Sequence, residues 1–256
     1  MPAELPSALP WSGLAQILAI FVAATLGAIA GFAFAPIAAI LLLPLSDDVL
    51  RMLATILAAS IASQALGVWR LRHEVDWRGA LPLLAGGLAA LPFGLLLLAS
   101  LDGTMHRNAI GGIVIAFALW MIWCPAPRQD VAPAGRWSWA TLFAGALGGV
   151  TGGLAGFPGG PVAIWGALCG IDRLRLRGML QFYILLMQVA ALALLPHLTS
   201  GAAVSVSLDP TLLLAMPPAL LGTLAGLAVF HRLSERRFRQ ALTAALLVAG
   251  LGLLLG

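Results

Sequence analysis

Two apolar stretches, residues 14–46 and 139–171, are each 33 residues long and carry Gly and Pro near their middles. A straight helix of that length would run about 50 Å, against a hydrocarbon core of about 30 Å. Each stretch is therefore either one tilted, broken helix or a hairpin that enters the membrane and returns. The second contains GGVTGGLAGFPGGP (148–161), with seven Gly and two Pro in fourteen residues. Six other runs, about 50–69, 80–101, 108–124, 176–197, 211–230 and 239–256, have the length of ordinary transmembrane helices. With 61% hydrophobic and 9% charged residues, the chain is too apolar for a soluble domain, where about 25% are charged. The class is an all-α polytopic membrane protein.

Charge placement chooses between the two shapes. All fourteen basic residues are Arg, and twelve fall in four segments: 70–78, 125–138, 171–177 and 231–239. Excess Arg in short loops marks the cytoplasmic side. The segments with little or no Arg (45–51, with Asp47, Asp48 and Arg51; 101–107; 198–210) are external. Stretch 139–171 then has a cytoplasmic loop at each end, so it is a hairpin. By the same parity 14–46 is a hairpin from outside, and both termini are external. Trp69, Trp77, Trp120, Trp123, Trp137 and Trp139 fall at cytoplasmic boundaries, as an aromatic belt does.

The halves match. LGAIAG (26–31) resembles LGGVTG (147–152), an offset of 121, and LRMLAT (50–55) resembles LRGMLQ (176–181), an offset of 126. A third match pairs the loop and helix starting at Leu101 with those starting at Leu233, an offset of 132. After an N-terminal segment 1–13, the first repeat is 14–124: hairpin 14–46 and helices 50–69, 80–101 and 108–124. A cytoplasmic linker, 125–138, leads to the second repeat, 139–256: hairpin 139–171 and helices 176–197, 211–230 and 239–256. Three crossings per half make the repeat inverted, with paired broken segments as in secondary transporters.

Half-helices that meet inside a membrane expose N–H groups and the positive end of the helix dipole. They suit an anion without a buried cation, and no charged residue is expected well inside a span. GxxxG pairs such as Gly27/Gly31, Gly148/Gly152 and Gly222/Gly226 also serve close helix packing. The denser run Gly152, Gly153, Gly156, Phe157, Pro158, Gly159, Gly160 is not compatible with an uninterrupted helix, so binding or gating is expected there. No GK[ST] follows it, so it is not an ATP loop.

The duplicated Gly-rich hairpin, the LRxxxAT-type helix start and the eight-segment length resemble the TauE/SafE family of bacterial membrane transporters. That is the sulfite exporter, or toluene sulfonate uptake permease, family. GGLAGFPGGPVA resembles its Gly-rich stretch. The first copy, GFAFAPIAAILLLP, departs from it but keeps Gly31, Pro36 and Pro44. The resemblance implies export or import of small sulfur-containing anions such as sulfite, sulfoacetate or organosulfonates across the bacterial inner membrane.

Substrate contacts are expected at Gly31, Phe34 and Pro36 in the first hairpin and along the Gly152–Gly160 run in the second. Within spans, Thr55, Gln64, Gln181 and Tyr183 are candidates, with Ser60, Ser63 and Gln188 beside them; the alternative for all of these is interhelical bonding. Arg51 and Arg177 are equivalent positions that either attract an anion at an entrance or anchor a helix end by snorkelling. The four His are dispersed, so no metal and no cofactor are expected. The partners are a small anion and the lipid bilayer, without nucleic acid, and a homo-oligomer is compatible with this architecture. The expected mechanism is alternating access. Its alternatives are a passive anion channel and, further off, a membrane-embedded enzyme, for which no nucleophile–base set is evident.

Overall fold

The computed structural model describes residues 11–42, 45, 49–73, 75–123, 138–198 and 210–230, together with scattered helical residues between 240 and 254. The described residues are all-helical. In chain order they form α1 (Trp11–Ala30), α2 (Phe34–Leu42), α3 (Val49–Leu71), α4 (Trp77–Ser100) and α5 (Gly103–Trp123). Then come α6 (Trp139–Ala155), α7 (Gly159–Leu168), α8 (Arg173–Leu198), a 3-10 turn Pro210–Ala215, and α9 (Met216–Phe230). Five helices are long and apolar enough to cross a membrane. Outward faces are apolar as well: Leu81, Leu88, Phe93 and Leu96 of α4, and Phe143 and Leu147 of the shorter apolar helix α6, are exposed. Apolar surface on helices of this length suits lipid, and the chain is a multi-pass membrane protein. Asp47, Asp48, the linker through Arg128 and Arg136, the loop 199–209 and the Arg-rich loop 231–239 lie outside the described residues.

Both long stretches break. α1 stops at Gly31, whose φ of +86° suits glycine, and α2 starts three residues later. Gln16 Nε2 donates to the Leu45 carbonyl at 3.1 Å, so a chain that runs fifteen residues from Gln16 to the tip comes back level with its start. α6 stops at Gly156, with φ +65°. There the Gly156 N–H donates to the Gly152 carbonyl at 2.9 Å and the Phe157 N–H to the Thr151 carbonyl at 3.2 Å, a left-handed helix stop. Pro158 folds back over α6: a Cβ added at Gly152 would lie 3.0 Å from the Pro158 ring. Ser138 opens α6 by accepting from the Thr141 N–H at 3.1 Å, and Asp76 opens α4 by accepting from the Gly79 N–H at 3.0 Å.

Three helix pairs hold the hairpins: α4 with α6, α1 with α9, and α3 with α8. The first two are close glycine contacts. Gly86 and Gly94 of α4 stand against the carbonyls of Leu142 and Val150, while Gly145 and Gly149 of α6 stand against those of Leu83 and Gly87. Gly222 and Gly226 of α9 meet the carbonyls of Phe21 and Thr25 in α1. The dense glycine run therefore divides. Gly148, Gly149, Gly152 and Gly153 stay helical and serve packing, and only Gly156–Pro158 breaks the chain. In a membrane the α6 carbonyl ladder keeps its bonds through these glycines, and the contact with α4 offsets their weak helix propensity.

Gly149→Leu places a side chain where the Gly87 carbonyl sits. We expect a stability loss of at least about 1–3 kcal/mol, read as a lower Tm of the detergent-solubilised protein; an unchanged Tm contradicts the packing.

Candidate functional site

The two hairpin tips meet. Phe32, next to Gly31, and Phe157, next to Gly156, have ring centroids 6.4 Å apart. Phe117 of α5 closes the group edge-on, 5.3 Å from Phe32 and 5.5 Å from Phe157, and Trp120 stacks behind it at 5.8 Å. Trp120 is thus turned partly inward, unlike Trp69, Trp77, Trp123 and Trp139, which are exposed. At the second tip, a Cβ on Gly159 would lie 2.6 Å from Ile184 and 3.2 Å from Phe32, and one on Gly156 would lie 3.1 Å from Leu53. At the first tip, Gly31 lies against the Arg177 side chain and Gly27 packs under the Phe34 backbone. Phe34 and Pro36 are buried in α2.

Both short helices begin beside these rings. α2 opens with Phe34-Ala35-Pro36 and α7 with Gly159-Gly160-Pro161, so each carries Pro at its third position. The N–H groups of a first turn have no acceptor within their helix, and Pro removes one such donor. At α7 the preceding residue, Pro158, provides no side-chain cap. Chemically the arrangement presents two positive helix ends under an apolar cover, with Ile184, Phe32 and Phe157 packed against Gly159 and Gly160.

The carbonyl ends of the long arms also lie at the tips, and each receives a buried side chain. An Nη of Arg177 donates to the Ala28 carbonyl at 2.6 Å. His106 bonds the Leu154 carbonyl through Nε2 at 2.8 Å. These two positions correct the sequence reading. Arg177, only 9% exposed, is neither a snorkelling anchor nor a free entrance charge, because the first tip reaches down to the start of α8 and takes the guanidinium as its cap. His106, 2% exposed, belongs to α5 rather than to an external loop. Asp102 starts that helix early by accepting from the Met105 N–H at 2.7 Å.

The other candidates scatter. Arg51 is exposed at the start of α3. The Thr55 hydroxyl donates to the Arg51 carbonyl at 2.8 Å, within its own helix. Gln181 lies across Gly67 of α3, twelve residues from Thr55 and so about 18 Å along the helix. Tyr183 is fully buried and donates to the Gly145 carbonyl at 2.8 Å, linking α8 to α6. Gln64 is buried in α3, and Ser63 makes a long 3.5 Å contact with the Ala219 carbonyl. Ser60 Oγ, Gln181 Oε1 and Gln188 Oε1 are buried without a hydrogen-bond partner among the described residues. Phe32 escaped the sequence reading although a signal existed: Gly-Phe recurs 125 residues apart, at 31–32 and 156–157. Nothing in the sequence marked Phe117.

Compared with known families, the chain matches the family described as Sulfite exporter TauE/SafE over residues 16–253. Comparison with curated proteins and with solved structures returns no match.

Removing the donor from the first tip has a defined cost. Arg177→Met leaves the Ala28 carbonyl without that bond, and we expect a loss of about 1–3 kcal/mol, with Arg177→Lys intermediate. Equal thermal unfolding of both variants and the parent protein contradicts the capping role.

Proposed function

The chain belongs to the sulfite exporter TauE/SafE family, and on that premise we propose that it is a secondary permease for small sulfur-containing anions. Sulfite, sulfoacetate and organosulfonates are the substrate class, carried in or out across a bacterial cytoplasmic membrane by alternating access. The observation that carries this reading is the meeting of the two tips, where α2 and α7 begin beside Phe32 and Phe157. Sulfite and sulfonates present several acceptor oxygens, which first-turn N–H groups match. A hydrogen bond to a charged group contributes roughly 1.5–3 kcal/mol, so a few such donors give useful affinity. Gly31, Phe34 and Pro36 then form one wall, and Phe157, Pro158, Gly159 and Gly160 the other. The rings of Phe32, Phe117 and Phe157 are an apolar plug that the hairpins must part.

We take the two halves as inverted repeats, with both termini external. Helix pairing supports the internal repeat: α4 packs on α6 as α9 packs on α1. The residue contacts exchange too. Gly94 meets the Val150 carbonyl, and Gly226, an offset of 132 from Gly94, meets that of Thr25, an offset of 125 from Val150. Tip exchanges with tip, since Gly31 and Gly156 both have positive φ.

Flux of radiolabelled sulfite, sulfoacetate and an aryl sulfonate into proteoliposomes tests the proposal. Saturable uptake of at least one is expected, and none for any of the three overturns it. In the same assay Gly156→Leu, strained by its φ of +65°, and Gly159→Leu, which intrudes on Ile184 and Phe32, are each expected to lose at least about tenfold in rate, equivalent to about 1.4 kcal/mol. Normal flux in both variants reduces the stretch to packing.

A further inference from the structure

The two tips are capped alike but not equally. At the first, the Ala28 carbonyl receives a guanidinium that is always charged. At the second, the Leu154 carbonyl receives an imidazole. A carbonyl only accepts, so Nε2 of His106 carries the hydrogen and Nδ1 is the basic nitrogen of the neutral ring. Nδ1 is buried and has no hydrogen-bond partner among the described residues. Nδ1 is thus a vacant proton acceptor on a residue bonded two positions before the Gly156 tip.

The charged surroundings are sparse. On α5 itself, Asp102 is exposed and engaged as the helix cap, and Arg107 follows in sequence, half-buried. α6, on which α5 packs, has no titratable side chain, and neither has α2. In α4 the one such group is Arg78, at the end remote from Leu101. On α3, Arg51 and Arg70 sit near the two helix ends and are exposed. On α8, beyond Arg177, Tyr183 is bonded to Gly145 and His197 is exposed near the terminus. No described carboxylate is buried to balance an imidazolium here. An anion held at the first turn of α7, five residues from Leu154, is the counter-charge the site lacks. Proton and anion then favour each other's binding by the same factor.

We propose that His106 carries the coupling proton: Nδ1 takes a proton from water on one side as the anion binds, and returns it to water on the other side as the anion leaves. This rests on the transport reading above and adds anion–proton symport to it.

The test uses proteoliposomes loaded with a pH-sensitive dye and driven by a sulfoacetate gradient. The parent protein is expected to move one proton per sulfoacetate. His106→Gln keeps an amide donor for the Leu154 carbonyl but does not titrate, so sulfoacetate binding should weaken, and the sulfoacetate flux that remains should carry no protons and show a flattened pH profile. Unchanged proton movement in His106→Gln, or sulfoacetate flux without protons in the parent protein, overturns the symport while leaving transport standing. No sulfoacetate flux in the parent protein removes this inference together with that substrate. A second measurement does not depend on the folding of His106→Gln. In a variant with His73, His197 and His231 changed to Gln, imidazole NMR signals of His106 should report protonation as the pH falls and shift toward the protonated form on adding sulfoacetate. A ring that stays neutral throughout overturns the proposal.

Discussion

A helix that ends inside a membrane protein leaves its last carbonyls without donors, and each unsatisfied group costs several kcal/mol there. The fold depends on meeting that demand at two interior helix ends. At the second tip the chain does most of it locally. Gly156 and Phe157 N–H groups serve the Gly152 and Thr151 carbonyls, and the Thr151 hydroxyl serves the Phe157 carbonyl at 2.9 Å. Leu154 takes its donor from α5, 48 residues away in sequence. At the first tip the Gly31 N–H serves Gly27 at 2.7 Å, and Ala28 takes Arg177 from the other half of the chain. Long-range side chains thus complete what the local turn leaves open, and in doing so they fix where each tip sits.

Glycine supplies the second constraint, in a different way. Along α6 it is a packing residue: without side chains at Gly145 and Gly149, the backbone of α6 lies directly on α4. The second tip therefore inherits its position from α4, and the first from α9 through the matching contacts of Gly222 and Gly226 with α1. Only at Gly31 and Gly156 is the conformational freedom of glycine itself used. The remaining arm of each hairpin, α2 or α7, is short and packs on its long arm and on α3 or α8, respectively.

The sequence made the membrane class and the broken stretches legible because apolar length, Gly, Pro and Arg placement each have one dominant physical meaning. It was less informative where one residue type serves two purposes. Gly152 and Gly153 resembled part of the break, yet a glycine that packs a helix and one that ends it look the same without the partner surface. Phe32 was lost to alignment: matching LGAIAG with LGGVTG at an offset of 121 slides Gly-Phe away from its mate at 125. His106 was hidden by the polarity of LDGTMHR, which suggests a loop until Asp102 is seen to start a helix inside it. Arg177 lay one turn into its helix, where snorkelling and inward capping are equally compatible with sequence. The first hairpin, folded against it from the other half of the chain, decides for capping.

The caps also set the electrostatics of the meeting point. Each tip brings together two helix ends of opposite sign: the carbonyl end of a long arm, worth about −0.5 charge, and the amide end of a short one, worth about +0.5. Left alone, these nearly cancel, and an anion would find little net attraction. A cationic donor on the carbonyl end removes the negative partner and leaves the amide end uncompensated. Arg177 does this permanently beside Gly31, through the Ala28 carbonyl. At the second tip the neutral imidazole of His106 satisfies the Leu154 carbonyl without adding charge, so the two tips differ in field although they share a backbone design. Two hairpins built alike are in this way electrostatically unequal, and the inequality lies in side chains donated by other helices rather than in the glycine-rich segments themselves.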